Sequence, residues 1–159
     1  MNRMIYLAAD HRGFQLKEAI KRFLTERSIA FEDVGAAIYA EGDDYVDFAR
    51  AASEKIVADL LTQKRDLSRG SEASRGIFLC GSGHGVDMVA NKFKGIRAAL
   101  CWNYGVAKES REHEDANVLV LPADWLDERG AEEIVTTWLG TEFSKEERHV
   151  RRLKKIAEI

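Results

Sequence analysis

Gly76-Ile77-Phe78-Leu79-Cys80-Gly81-Ser82-Gly83-His84-Gly85 joins an apolar run to a loop with glycine at every second position. Val86-Asp87-Met88-Val89-Ala90-Asn91-Lys92 follows and can form a helix. A buried strand feeding a glycine-rich turn and then a helix brings backbone N–H groups and a helix N-terminus to whatever binds there. Cys80, at the end of that strand, stands in an electropositive setting that favours the thiolate, the form that serves as base or nucleophile. One segment therefore combines an α/β connection, an anion site and a sulfur placed to react.

Outward from this segment, strands alternate with helices. Met4 to Ala9 is short and apolar, and Asp10-His11-Arg12-Gly13 ends it. From Phe14, apolar residues recur at Leu16, Ile20, Phe23 and Leu24, the spacing of one helix face. Ala30 to Val34, closed by Gly35, reads as a second strand. Asp43 and Asp44 stand as caps before a helix whose inner face carries Ala49, Ala52, Ile56 and Leu60. Residues 62–75 are polar and aperiodic, which predicts a surface loop or frayed helix end and the most mobile segment.

Gly76 to Cys80 is the third strand, and its helix runs from about Gly85 to Phe93. Ile96 to Cys101 is a fourth strand, followed by a helix near Val106 to Arg111. Asn117 to Leu121 is a fifth strand, and Asp127 caps a helix through Trp138. Ser144-Lys145-Glu146-Glu147 fits a capping box opening a last helix, 145–157. This alternation predicts an α/β, Rossmann-like three-layer sandwich: a five-stranded parallel sheet with helices on both faces. Ligands bind such sheets at the carboxyl ends of the strands, near the switch in strand order. The loops Asp10–Gly13, Cys80–Gly85 and Pro122–Asp124 meet at that edge.

The 159 residues, 45% hydrophobic and 32% charged, suit a single soluble domain spanning 1–159. A net charge of -3 gives no support to a nucleic-acid surface. No apolar run approaches the roughly 20 residues of a membrane helix. The chain enters its first strand without a signal peptide, which points to the cytoplasm. Cys80 and Cys101 lie far apart and form no Cys-x-x-Cys pattern, so both read as free thiols.

The glycine loop is not a dinucleotide fingerprint, because its third glycine comes one residue early and it follows the third strand. It lacks the glycine two before Ser82 that a nucleophile elbow needs, and no Gly-Lys-Ser/Thr follows as in a P-loop. What remains is an anion or oxyanion nest with Ser82 as hydroxyl donor, or a tight structural turn. Cys80 reads either as a reactive thiol or as a small buried hydrophobe, and Cys101 as structural. His11, His84, His113 and His149 are scattered without metal-ligand spacing. Arg148 and Arg152, four apart, share a helix face fit to grip a phosphate or to reach a partner subunit.

Taken together these residues resemble one family over nearly the whole chain, the ribose-5-phosphate isomerase B / galactose-6-phosphate isomerase family. The motifs are Asp10-His11-x-Gly13-Phe14, Asp44-Tyr45, Gly76-Ile77-x-Leu79-Cys80-Gly81-Ser82-Gly83-x-Gly85, and Ala90-Asn91-Lys92. They continue with Gly95-Ile96-Arg97-Ala98, Ser110-Arg111-x-His113-x-Asp115-x-Asn117, Trp138-Leu139, and Arg148-His149-x-x-Arg152. The resemblance implies a metal-independent, cofactor-free aldose–ketose isomerase of a phosphorylated sugar, working through a cis-enediol as a homodimer or a dimer of dimers. Cys80 is then the base between C2 and C1, and Ser82 and the nest residues Gly81, Gly83, His84 and Gly85 hold the enediolate. Asp10 and His113 match ring opening and oxygen protonation. His11, Arg148 and Arg152 match the phosphate grip, with the arginines supplied across a dimer interface, and Tyr45 lines the pocket.

The chain also departs from the family pattern. Glu114 replaces the asparagine usual after the histidine, and Pro122-Ala123-Asp124 stands where Gly-x-Arg is common. His84 and Asp87 are unusual, and Asp87 is a rival base. Glu114 and Asp124 point to a different sugar phosphate, to a substrate with a cationic or hydroxyl-rich end, or to a non-catalytic sugar-phosphate-binding partner subunit. A flavodoxin-type nucleotide binder is a further alternative.

Overall fold

The structure of the protein, a computed structural model, describes residues 3–63 and 73–159. Five strands are present: β1 (Ile5–Ala9), β2 (Phe31–Asp33), β3 (Arg75–Cys80), β4 (Ala98–Leu100) and β5 (Val118–Pro122). The helices are α1 (Phe14–Glu26), α2 (Tyr45–Gln63), α3 (His84–Ala90), α4 (Tyr104–Glu112), α5 (Glu128–Gly140) and α6 (Glu147–Ala157). All pairings are parallel, in the order β2-β1-β3-β5-β4. The expected α/β sandwich is therefore present. β4 is shorter than the sequence reading, and α3 stops at Ala90 rather than Phe93.

Alternation along the strands builds two cores. Ile5, Leu7, Ile77, Leu79, Leu119 and Leu121 face one layer, where Ile20, Phe23, Ile134 and Trp138 of α1 and α5 close over them. Tyr6, Ala8, Phe78, Cys80, Val118 and Val120 face the other, packed by Ala49, Ala52 and Ile56 of α2 and Val86 and Ala90 of α3. Strand order reverses between β1 and β3, so the crevice at their carboxyl ends is the switch point.

Capping follows the sequence only in part. Asn103 and Asp127 cap α4 and α5, each side-chain oxygen accepting a backbone N–H, from Val106 at 2.9 Å and from Gly130 at 2.7 Å. The capping box at Ser144 does not form: its hydroxyl pairs with His149 Nδ1 at 2.8 Å, and α6 has no side-chain cap. Residues 62–75 are not one loop. Thr62 still belongs to α2, while Ser74 and Arg75 are buried and Arg75 opens β3. The rest of that segment, 64–72, lies outside the described residues. Among the described residues, no helix is long and apolar enough to cross a membrane.

Candidate active site

The carboxyl edge of β1 and β3 is built from backbone geometry first. Asp10, buried at the end of β1, accepts N–H bonds from Arg12 and Gly13 on Oδ1, both 3.1 Å. Gly13 is required because a Cβ there would stand 2.8 Å from the Leu79 Cβ, so the loop seats directly on β3. Gly83 takes a left-handed φ of 80° as the chain turns into α3. The Ser82 hydroxyl accepts the His84 N–H at 3.3 Å, and His84 itself is exposed. Tyr45, the first residue of α2, lies against Gly85 so closely that a Cβ would overlap its ring.

Asp43 does not cap α2. Its Oδ1 accepts the His11 backbone N–H and pairs with His11 Nδ1, each at 2.8 Å, while Asp44 accepts the Val46 N–H. Asp10, His11 and Asp43 thus form a cluster whose ligand-type atoms lie within 4.8 Å of one another. Its strongest contact is the imidazole–carboxylate bond, which fixes the ring. Asp10 and His11 are sequence neighbours, and folding brings Asp43 to them from 32 residues away.

Arg12 and Asp124 form an ion pair across the same edge. The substrate cation that Asp124 called for is therefore supplied, at least in charge, by the chain itself. Beside this pair Ser82, His84, Leu100, Trp102, Pro122 and Trp125 line an open cleft of about 460 Å³. Sequence reading passed over Arg12 and misassigned Asp43. No local pattern marks either, because their partners lie 112 and 32 residues away.

Cys80 is buried on the α2/α3 face of the sheet. Cys101 is fully buried and packs on Ala99 and Ser110, and burial pushes its thiol up to about 11. That agrees with its structural reading. Burial also raises the Asp87 carboxyl above its ordinary value, against the opposing effect of His84. Asn91 Nδ2 approaches Asp87 Oδ1 at 3.4 Å, so this carboxylate is already partnered within α3 and its cap.

His113 is placed elsewhere. It closes α4 at the amino edge, just before β5, whereas Cys80 pairs in register with Pro122 at the far end of β5. Five residues of strand separate the two edges, about 16 Å at roughly 3.3 Å per residue. The His113 ring packs on His149 of α6 with centroids 4.6 Å apart. Arg148 and Arg152 are exposed on the same helix, Arg148 Nε forming an ion pair with Glu146 at 2.9 Å. Glu114, the residue after His113, is exposed. One chain thus holds two candidate half-sites: Asp10, His11, Tyr45 and the Cys80–Gly85 segment at one edge, and His113, with Arg148 and Arg152 on the helix packed against it, at the other.

Comparison with known proteins agrees with this architecture. The profile of the family described as Ribose/Galactose Isomerase matches residues 5–156. Ribose-5-phosphate isomerase B of Mycobacterium tuberculosis is 36% identical over 154 residues, covering 97% of this chain and 88% of that protein. A ribose 5-phosphate isomerase from Thermotoga maritima superposes with a TM-score of 0.86 at 38% identity, covering all of both chains. Ribose-5-phosphate isomerase B from Mycoplasma genitalium, solved with bound ribulose 5-phosphate, gives 0.87 at 34% identity over 99% of this chain and 96% of that one. With the profile spanning residues 5–156 and the relatives matched over 88% or more of their own length, the chain belongs to the ribose/galactose isomerase family.

Proposed function

We propose that the protein interconverts an aldose phosphate and a ketose phosphate of the ribose 5-phosphate/ribulose 5-phosphate type. The observation that carries this reading is the convergence of Asp10, His11, Tyr45 and the Cys80–Gly85 segment on one sheet edge, in a family whose Mycoplasma genitalium member binds ribulose 5-phosphate. In this scheme the Cys80 thiolate removes the proton from C2 and returns it to C1. The cis-enediolate formed between these steps carries charge on its oxygens, which the Ser82 hydroxyl and the glycine loop stabilise. Asp10 assists ring opening, Tyr45 walls the pocket, and His11, oriented by Asp43, meets the phosphate. Protein groups carry every step, without metal or cofactor.

The separation of the half-sites adds a requirement. His113, Arg148 and Arg152 reach a substrate at Cys80 only from a second copy, so the working unit is a homodimer, with α6 carrying its arginines to the partner. The phosphate, remote from the reacting carbons, then supplies binding energy that orients C1 and C2.

The non-catalytic reading loses one of its grounds, because Arg12 neutralises Asp124. Incubation of the purified chain with tetrose, pentose and hexose phosphates in deuterated water tests the reaction. Cys80→Ala should abolish C2-proton exchange and keep its fold; an Ala variant that still exchanges removes Cys80 as the base. Binding without turnover by the wild-type chain would return the protein to a non-catalytic role.

A further inference from the structure

The proposed reaction leaves Arg12 unused, yet its side chain is built into the edge of the site. It extends from the loop that also holds Asp10 and His11 and pairs with Asp124, in the turn after β5. Between them lies Gly81, the first glycine after Cys80. Any Cβ at residue 81 would overlap the Arg12 guanidinium, so the guanidinium rests directly on the glycine loop. Asp124 is tied to the same residue, its N–H donating to the Gly81 carbonyl at 3.0 Å. Glycine at 81 is thus the space into which this cation fits.

An exposed ion pair of this kind adds little stability by itself. What it does is orientation. A guanidinium has five N–H donors in a rigid fork. Asp124 engages one terminal nitrogen, and the remaining donors meet no acceptor among the described residues. The side chain is 56% exposed, so the fork is anchored on one side and open on the other. A lone carboxylate at 124 would repel a phosphate dianion; paired with Arg12, its charge is cancelled and it fixes the fork. The pairing also sets the guanidinium at the tip of residue 124, where the family resemblance leads one to expect an arginine.

We infer that Arg12 is a phosphate-binding residue of this chain and that Asp124 is its positioning residue, an exchange in which the guanidinium comes from the first loop instead of the last. The inference rests on reading the carboxyl edge as a sugar-phosphate site. It fits a forked, charge-assisted contact to phosphate oxygens rather than to sugar hydroxyls.

Titration calorimetry with inorganic phosphate and with ribose 5-phosphate tests it on the full chain, with thermal unfolding and turnover measured separately. R12A should weaken both ligands by about ten- to a hundredfold, the range of a charge-assisted hydrogen bond, with little change in unfolding. R12K, which keeps the charge and loses the fork, should fall between. R12A/D124R should recover part of the loss, and a double variant no tighter than R12A overturns the exchange. R12A binding both ligands within about twofold of wild type overturns the assignment. Should R12A fail to fold, R12K equal to wild type does the same. Wild-type protein that binds phosphate through Arg12 but turns over no sugar phosphate refutes the isomerase reading alone.

Discussion

Replacing Asp33 by Asn removes the carboxylate that holds the fully buried Lys17. Lys17 Nζ donates to Asp33 Oδ2 and to the Ala36 carbonyl, both at 2.6 Å, while Glu18 is 3.5 Å away. Lys21 reaches the same Asp33 oxygen at 2.9 Å. In D33N the Lys17 ammonium stays inside with a carbonyl and a more distant carboxylate. Breaking a buried pair from one side costs about 3–5 kcal/mol, and the remaining contacts put D33N near the lower end. K17M instead removes the buried charge, fills its space and leaves Asp33 with Lys21, so its cost should be about 1–2 kcal/mol. For a domain of this length each kcal/mol shifts Tm by about 2–4 °C. D33N should then lose roughly 6–12 °C and K17M roughly 2–8 °C.

The effect is also pH-dependent. Burial would raise the Asp33 carboxyl, but hydrogen bonds from Lys17 and Lys21 outweigh it and hold the group below its ordinary value. Its contribution is therefore complete above the unfolded carboxylate pKa of about 3.9 and is lost as pH falls through the lower folded value. D33N should flatten that acid limb. Lys21, raised by its bonds to Glu18 and Asp33, contributes below its unfolded pKa and loses the contribution as pH rises through the higher folded one. Urea and thermal unfolding at acid, neutral and alkaline pH measure both. K17M as damaging as D33N, or D33N costing under about 1 kcal/mol, would refute the reasoning. The pair matters for the site because it fastens β2 and the following loop, which leads to Asp43, onto α1.

Mixing an inactive C80A chain with an inactive H113A chain, after dissociation and reassembly, should restore roughly a quarter of the wild-type sites, since half the random dimers carry one intact site; no recovery would place both residues' functions in one chain. D43A frees His11 and should raise KM for the phosphorylated substrate by about tenfold or more with a smaller change in kcat, steady-state kinetics being the check. Arg75 is buried over Trp138 with Nη1 unpartnered among the described residues, and burial, then Arg111 and Arg3, lower its pKa to about 9. Its charge therefore opposes folding, and R75M should be neutral or stabilising by about 1–2 kcal/mol in denaturant unfolding; a loss above about 1 kcal/mol would contradict that.

Local chemistry is enough to make the β3–α3 segment readable. An apolar run bounded by glycines, followed by a helical pattern, has few alternatives, and the same holds for β1, α1 and the Asp127-capped α5. The caps that failed, Asp43 and Ser144, did so because each side chain finds a histidine ring, Asp43 that of His11 32 residues away and Ser144 that of His149 inside α6. A long-range partner such as that of Asp43 leaves no periodic trace.

The sequence alone determined the alternation, the two-sided core and the Asp10, Cys80 and Ser82 positions, because these follow from hydrophobic period and glycine placement. The tertiary structure decided which side chains meet. It brought Asp43 onto His11 and Arg12 onto Asp124, and it set His113 a strand length from Cys80, since a helix that returns beside a parallel strand must end at the opposite edge.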